Sequence, residues 1–250
     1  MTVDINLPES WQQLDDQQLQ TVFTFIAMNL SAPEVKTLCL FKWNKIKILG
    51  KTDKNHEYWV KVKKQTFTMN AREANTLTAT LDFIDEIPPY PVRMSQIGKH
   101  KALPEDFEGV PFEVYLYCDN LFQGYLHTQD MNLLRELLQI LYDIDNMKKY
   151  NAIDAYAIMA FYWFASLKML FSKRFPHFYM PIGEVNEPDM LQSQSLHQKL
   201  TEAVNAQIRA LTGGDVTKEP YVMKMDTHRA LTELDCKAKE AEEMRKTATK

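Results

Sequence analysis

The sequence predicts an α+β, mainly α protein: a helical bundle with a small N-terminal β-ribbon and a long projecting C-terminal helix. Three observations carry this expectation. Apolar residues recur at three- and four-residue spacing over most of the chain, the signature of helices with one buried face. Between Lys45 and Met69 the pattern changes to alternation, which suits strands. Seven glycines in 250 residues leave little material for the tight turns of an all-β fold.

The elements follow in order. Asp15 or Asp16 caps a first helix whose face is Leu19, Val22, Phe23, Ile26 and Leu30, with Trp11 as a packing anchor ahead of it. Ser31-Ala32-Pro33-Glu34 has the form of a capping box with proline in the first turn, and opens a second, antiparallel helix carrying Val35, Leu38 and Cys39. Lys45-Ile46-Lys47-Ile48, Tyr58 to Val62 and Thr66-Phe67-Thr68 form the ribbon. Asn70 with Glu73 starts another helix, faced by Leu77, Leu81 and Ile84. Five prolines (Pro88, Pro89, Pro91, Pro104, Pro111) exclude regular helix over 87–111. That stretch is expected to be a linker or arm between an N-terminal helical domain, 1–86, and a helical domain, 112–250. Phe112 to Cys118 admits either a strand or a helix start. Helices are expected over 120–126, 130–143, 151–175, 195–211 and 217–246. Gly213-Gly214 closes the fourth of these, and Thr217 with Pro220 opens the last.

Composition narrows the function classes. Apolar residues make up 45% of the chain, mean hydropathy is -0.36 and net charge is -4, so global disorder is excluded. The acidic balance argues against a surface given over wholly to nucleic acid or an anionic membrane. Three widely spaced cysteines, Cys39, Cys118 and Cys236, suit free thiols in a reducing cytosol. Met1 to Leu14 has no basic and apolar regions of a secretory signal. Ala152 to Phe171 has the length of a membrane span, but Asp154 and Lys168 lie inside it, and the expectation is a buried core helix with no membrane.

Catalytic motifs are lacking. Gly50-Lys51-Thr52 follows a strand-like segment, yet a phosphate loop requires glycine where Lys45 stands. None of His56, His100, His127, His177, His197 and His228 is spaced four residues from another, and no Cys-x-x-Cys occurs, so no metal or cofactor is expected. The serines lack a nucleophile elbow. The distinctive charge feature is 42–64, where Lys42, Lys45, Lys47, Lys51, Lys54, Lys61, Lys63 and Lys64 face only Asp53 and Glu57, with Trp43, Tyr58 and Trp59 interleaved. The plain reading is a half-buried ribbon with lysines outward and aromatics toward the core. The alternative is a nucleic-acid accessory protein binding through Lys45, Lys47, Lys61, Lys63 and Trp59.

Leu7-Pro8-Glu9-Ser10-Trp11 with Leu14 and Gln17-Gln18-Leu19, then Val35 to Trp43, then Asn205 to Lys218, together about a third of the chain, resemble uncharacterised phage and prophage proteins of gut Bacteroidetes. The resemblance implies a tail- or virion-associated role and carries over no catalytic residue. The expectation is a non-enzymatic virion component or tail-assembly factor in the host cytoplasm, whose partners are other virion or assembly proteins or further copies of itself. The C-terminal helix has few apolar residues past Leu234, so Leu231, Leu234, Ala238 and Ala241 are expected to line a partner-facing seam.

Overall fold

A computed structural model describes residues 5–53, 57–179 and 196–248. Met1, Lys54, His56, Ser195 and the last two residues, all named or spanned above, lie outside them. The molecule is mainly helical with a small antiparallel sheet, as the sequence predicts.

The helix starts are where the caps place them. Helix α1 (Asp16–Ala27) is closed by a reciprocal pair: Asp15 Oδ1 accepts from the Gln18 N–H at 2.8 Å, and Gln18 Oε1 accepts from the Asp15 N–H at 3.0 Å. Ahead of α2 (Ala32–Trp43), the Glu34 carboxylate accepts from both the N–H and the hydroxyl of Ser31. Strands β1 (Lys47–Lys51), β2 (Glu57–Val62) and β3 (Gln65–Asn70) form an antiparallel sheet in the order β1-β2-β3. Asn70 and Glu73 then cap α3 (Ala71–Thr78) in the same reciprocal way. The sheet's inner face, with Val60, Val62 and Met69, meets Leu40, Ile46 and Ala74 in a small satellite core.

The main core is built around α6 (Ile153–Arg174). Helices α1 and α5 (Met131–Tyr142) flank it. Helix α4 (Phe112–Thr128) meets it through rings: Phe122 stacks on Phe161, and Tyr115 packs on Phe164 and Phe171. Residues 112–118 therefore take the helical alternative. Although α6 is long and apolar enough to cross a membrane, its apolar surface is used in this packing: Ala157, Ala160, Trp163, Phe164 and Leu167 are wholly buried. Trp11 stacks on Phe23 of α1 and is buried.

Two expectations about chain organisation are corrected. The proline-rich stretch 87–111 is no spacer between domains: Val92, Met94, Ile97, Phe107 and Val110 are buried, and one core runs from Trp11 to Leu234. An extended arm has carbonyls without helical partners, and buried carbonyls must be satisfied. Donors from across the chain supply them and the carbonyl just ahead of the arm. Trp11 Nε1 donates to Glu86 O at 3.2 Å, Tyr142 Oη to Met94 O at 2.9 Å and Trp163 Nε1 to Glu105 O at 2.8 Å. His228 Nε2 donates to Asp106 O at 2.6 Å. Within the arm, β4 (Gln96–Ile97) and β5 (His100–Lys101) form a hairpin. Its Gly98 has φ +60°, and a Cβ there would sit 2.9 Å from the Tyr150 hydroxyl.

The second correction concerns the last helix. After α7 (Leu196–Thr212), ended by the positive φ of Gly213 and Gly214, the chain forms a short α8 (Glu219–Met223) and then α9 (Thr227–Ala248). The break falls where Phe112 N–H donates to Met225 O at 2.8 Å and Thr227 N–H donates to Val110 O at 2.9 Å. Asp226 starts α9 by accepting from the Arg229 N–H at 3.0 Å, and also accepts from the Gly109 N–H at 2.6 Å. The Asp-Thr pair is thus the cap signal of the final helix.

Trp163 joins both features, since it is fully buried in α6 and its indole N–H holds the arm. Trp163→Ala is expected to lower unfolding free energy by about 3–5 kcal/mol in a denaturant titration. Loss of well under 1 kcal/mol would show that the arm and α6 are not packed as described.

Candidate functional site

The groups able to do chemistry are dispersed. Among the described residues no three of His, Cys, Asp and Glu come together as a metal site. His228 packs its ring against Phe171 and Phe175, His177 Nδ1 lies 3.4 Å from a Glu242 carboxylate oxygen, and His100 Nδ1 donates to Asp143 O at 2.6 Å. These three histidines each have a structural partner. Burial pushes the Cys39 thiol up to about 12 and the Cys118 thiol higher still, so neither supplies a thiolate near neutrality. Cys236 is exposed on α9.

One interior polar cluster was not legible in the sequence. Lys168 of α6 pairs with Asp119 of α4 at 2.8 Å, lies 4.9 Å from the Tyr179 ring centroid, and sits 3.4 Å from the Tyr115 hydroxyl. The Tyr115 and Tyr179 hydroxyls share a hydrogen bond at 2.5 Å. Tyr115 and Asp119 stand four residues apart on one helix face, which signals proximity but not that a lysine and a distant tyrosine close the group. Both phenols are pushed well up, first by burial; the Asp119 charge adds to this in each. They stay protonated at neutral pH, and the cluster holds the chain after α6 against α4.

The open surfaces are more informative. On β2, Val60 and Val62 face inward, while Trp59 and Lys61 face out. Trp59 is 46% exposed, which corrects the expectation that the ribbon's aromatics all turn to the core; Tyr58, opposite the buried Met69, does turn inward. Lys47 lies directly across from Lys61. Lys45 and Lys63, each with positive φ, flank this pair at the same end of the ribbon, and all four lysines are exposed. A one-residue irregularity at Leu49 in β1 leaves Ile48 and Leu49 exposed as well. Lys45 also borders a polar cleft of about 470 Å³ between α1 and α2, lined by Gln17, Gln20, Thr21, Lys42 and Trp43 among others.

The seam expected on α9 is only partly available. Leu231 and Leu234 are buried in the chain's own core, which removes them from any partner-facing role. The reason is that the apolar first half of α9 docks on its own bundle, with α7 and α4 beside it. Beyond Leu234 no described residue of α9 is buried: Ala238 is half-buried, Ala241 is exposed, and Met244 is 70% exposed. This outer portion carries the pair Lys246 to Glu242 at 2.5 Å and is tied to the segment after α6 by polar contacts: Asp235 accepts from the Phe178 N–H at 2.9 Å, and Glu242 lies 3.4 Å from His177.

The interior phenols fix a pH dependence. Because their folded-state ionisation lies above that of an unfolded tyrosine, near pH 10, their contribution to stability is complete below pH 10 and is lost as pH rises above it. An absorbance titration is expected to show that Tyr115, Tyr142 and Tyr179 form phenolate only together with unfolding. Smooth titration of all eleven tyrosines near pH 10 in the folded chain would contradict the burial described.

No family model, curated protein or solved structure matches the chain, and the functional reading rests on this geometry and on the resemblance noted from the sequence.

Proposed function

We propose that the chain is a non-enzymatic phage or prophage protein, a virion component or tail-assembly factor, that acts by contact with other proteins or with copies of itself. The observation that carries this is the outer part of α9. From 235 to 248, about 20 Å of helix at 1.5 Å per residue, it extends past the last buried residue with a narrow row of Ala238, Ala241 and Met244. An isolated helix of that length is marginal in water, so such a segment gains its stability from what it packs against. The dispersal of histidines, thiols and acids fits the same reading, because it leaves surface as the means of action. The partner-binding part of α9 is thereby reassigned from Leu231 and Leu234 to the Ala238, Ala241 and Met244 row.

The test removes the row, and with it the Glu242 contact to His177, while leaving the buried core in place. A chain ending at Cys236 retains Leu231 and Leu234. Full-length protein is expected to show a light-scattering mass above the 29.2 kDa of one chain, or to co-elute with the product of an adjacent virion gene when the two are expressed together. The truncated chain is expected to lose that association while keeping the melting temperature of its core. Association that survives the truncation, or its absence in both forms, would overturn the proposal.

A further inference from the structure

We propose that the outer face of the ribbon binds single-stranded nucleic acid, with Trp59 stacking on a base and Lys45, Lys47, Lys61 and Lys63 holding the phosphates beside it. The usual role of surface lysines on a sheet is to protect edge strands from pairing. That role does not account for Lys61 or Trp59, because both lie on β2, the central strand, whose edges are already occupied by β1 and β3. Opposed like charges across a strand pair destabilise it. Lys47 and Lys61 are such a pair, and no ion pair among the described residues involves either of them or Lys45 or Lys63. An anion laid across this end of the ribbon removes the repulsion. The overall charge of the chain is -4, so the basic cluster is local to this surface.

The ring beside the cluster selects the kind of anion. Trp59 is nearly half exposed, and the residue across from it on β1 is Gly50. Gly50 does not have a positive φ, and a Cβ built on it meets nothing within 4 Å, so the glycine leaves an open slot next to the indole that the backbone does not require. Lys61 is two residues along β2 from Trp59, a step of about 7 Å in a strand, within reach of a phosphate flanking a stacked base. A duplex hides its base faces and would use the lysines alone. Glu57 shares the outer face but lies at the opposite end from the lysines, where it accepts from the Thr52 hydroxyl at 3.2 Å. An acidic peptide is the competing occupant, since it satisfies the lysines but makes no stacking use of Trp59.

The test uses the full chain and a fluorescein-labelled fifteen-nucleotide oligo-dT, read by anisotropy, with a fifteen-base-pair duplex and poly-glutamate as comparison probes. If four phosphates are neutralised, affinity for oligo-dT falls about fiftyfold between 50 and 200 mM salt, the slope for a single strand being about 0.7 per phosphate. Trp59→Ala is expected to weaken binding roughly tenfold or more. Lys47→Gln with Lys61→Gln is expected to reduce the salt slope by about 1.4, and Gly50→Val, which fills the slot with a good strand former, to weaken binding without lowering the melting temperature. These side chains are on the open face, and circular dichroism of each variant confirms the fold. Absence of salt-dependent binding, binding unchanged by Trp59→Ala, or poly-glutamate or duplex competing as well as oligo-dT would overturn the proposal.

Discussion

The structure depends on one constraint: α6 is apolar over most of its surface and must be covered on several sides. A helix with a single apolar stripe needs one neighbour, whereas one without a polar face needs several. Helices α1, α4 and α5 supply them, and the contacts with α4 are mostly ring on ring. Shape therefore matters here more than area alone, because aromatic pairs prefer offset or edge-on geometry. The one lysine deep in the sequence of α6, Lys168, is matched by Asp119 and two tyrosines from elements that had to be nearby in any case.

The arm from Ile87 to Pro111 follows from the same constraint. Three helices do not close around α6, and the arm fills part of the remaining side with Val92, Met94, Phe107 and Val110. Its carbonyls are bound by Tyr142, Trp163 and His228, and Trp11 binds the Glu86 carbonyl just ahead of it; the four donors come from separate parts of the chain. These bonds tie the first turn of the molecule, α5, α6 and α9 to one extended segment. The polar atoms of these large buried rings are spent on holding the extended segment in place.

Much of this organisation was legible in the sequence. Asp15, Ser31 with Glu34, and Asn70 with Glu73 marked helix starts because a cap is a local event, complete within four residues. The all-round apolarity of α6 announced a central helix for a similarly local reason. What could not be read depended on distant partners. Prolines exclude helix but say nothing about burial, so linker and arm could not be told apart. Alternation defines two faces of a ribbon without saying which meets the core, and the irregularity at Leu49 shifts the register of β1, so the outward turn of Trp59 was hidden. The apolar face of α9 was correctly seen, but Leu231 and Leu234 gave no indication that their own bundle, and not a second molecule, would cover them. The bond from Gly109 to Asp226, spanning 117 positions, is the kind of contact that ends one helix and starts another with no local trace beyond an Asp-Thr pair.

The central claim is that the buried core of α9 ends at Leu234 and that the apolar row beyond it, on a segment tied to the body through Asp235 and Glu242, is surface for others. Amide hydrogen exchange on the isolated chain, held at a concentration where it is a single molecule, tests this most directly. The account predicts that α6 and the first half of α9 exchange only through global unfolding, while amides from 236 onward exchange through local opening many-fold faster. Protection of 236–248 equal to that of α6 in the single chain would contradict it, because the outer helix would then belong to the fold and offer nothing to a partner.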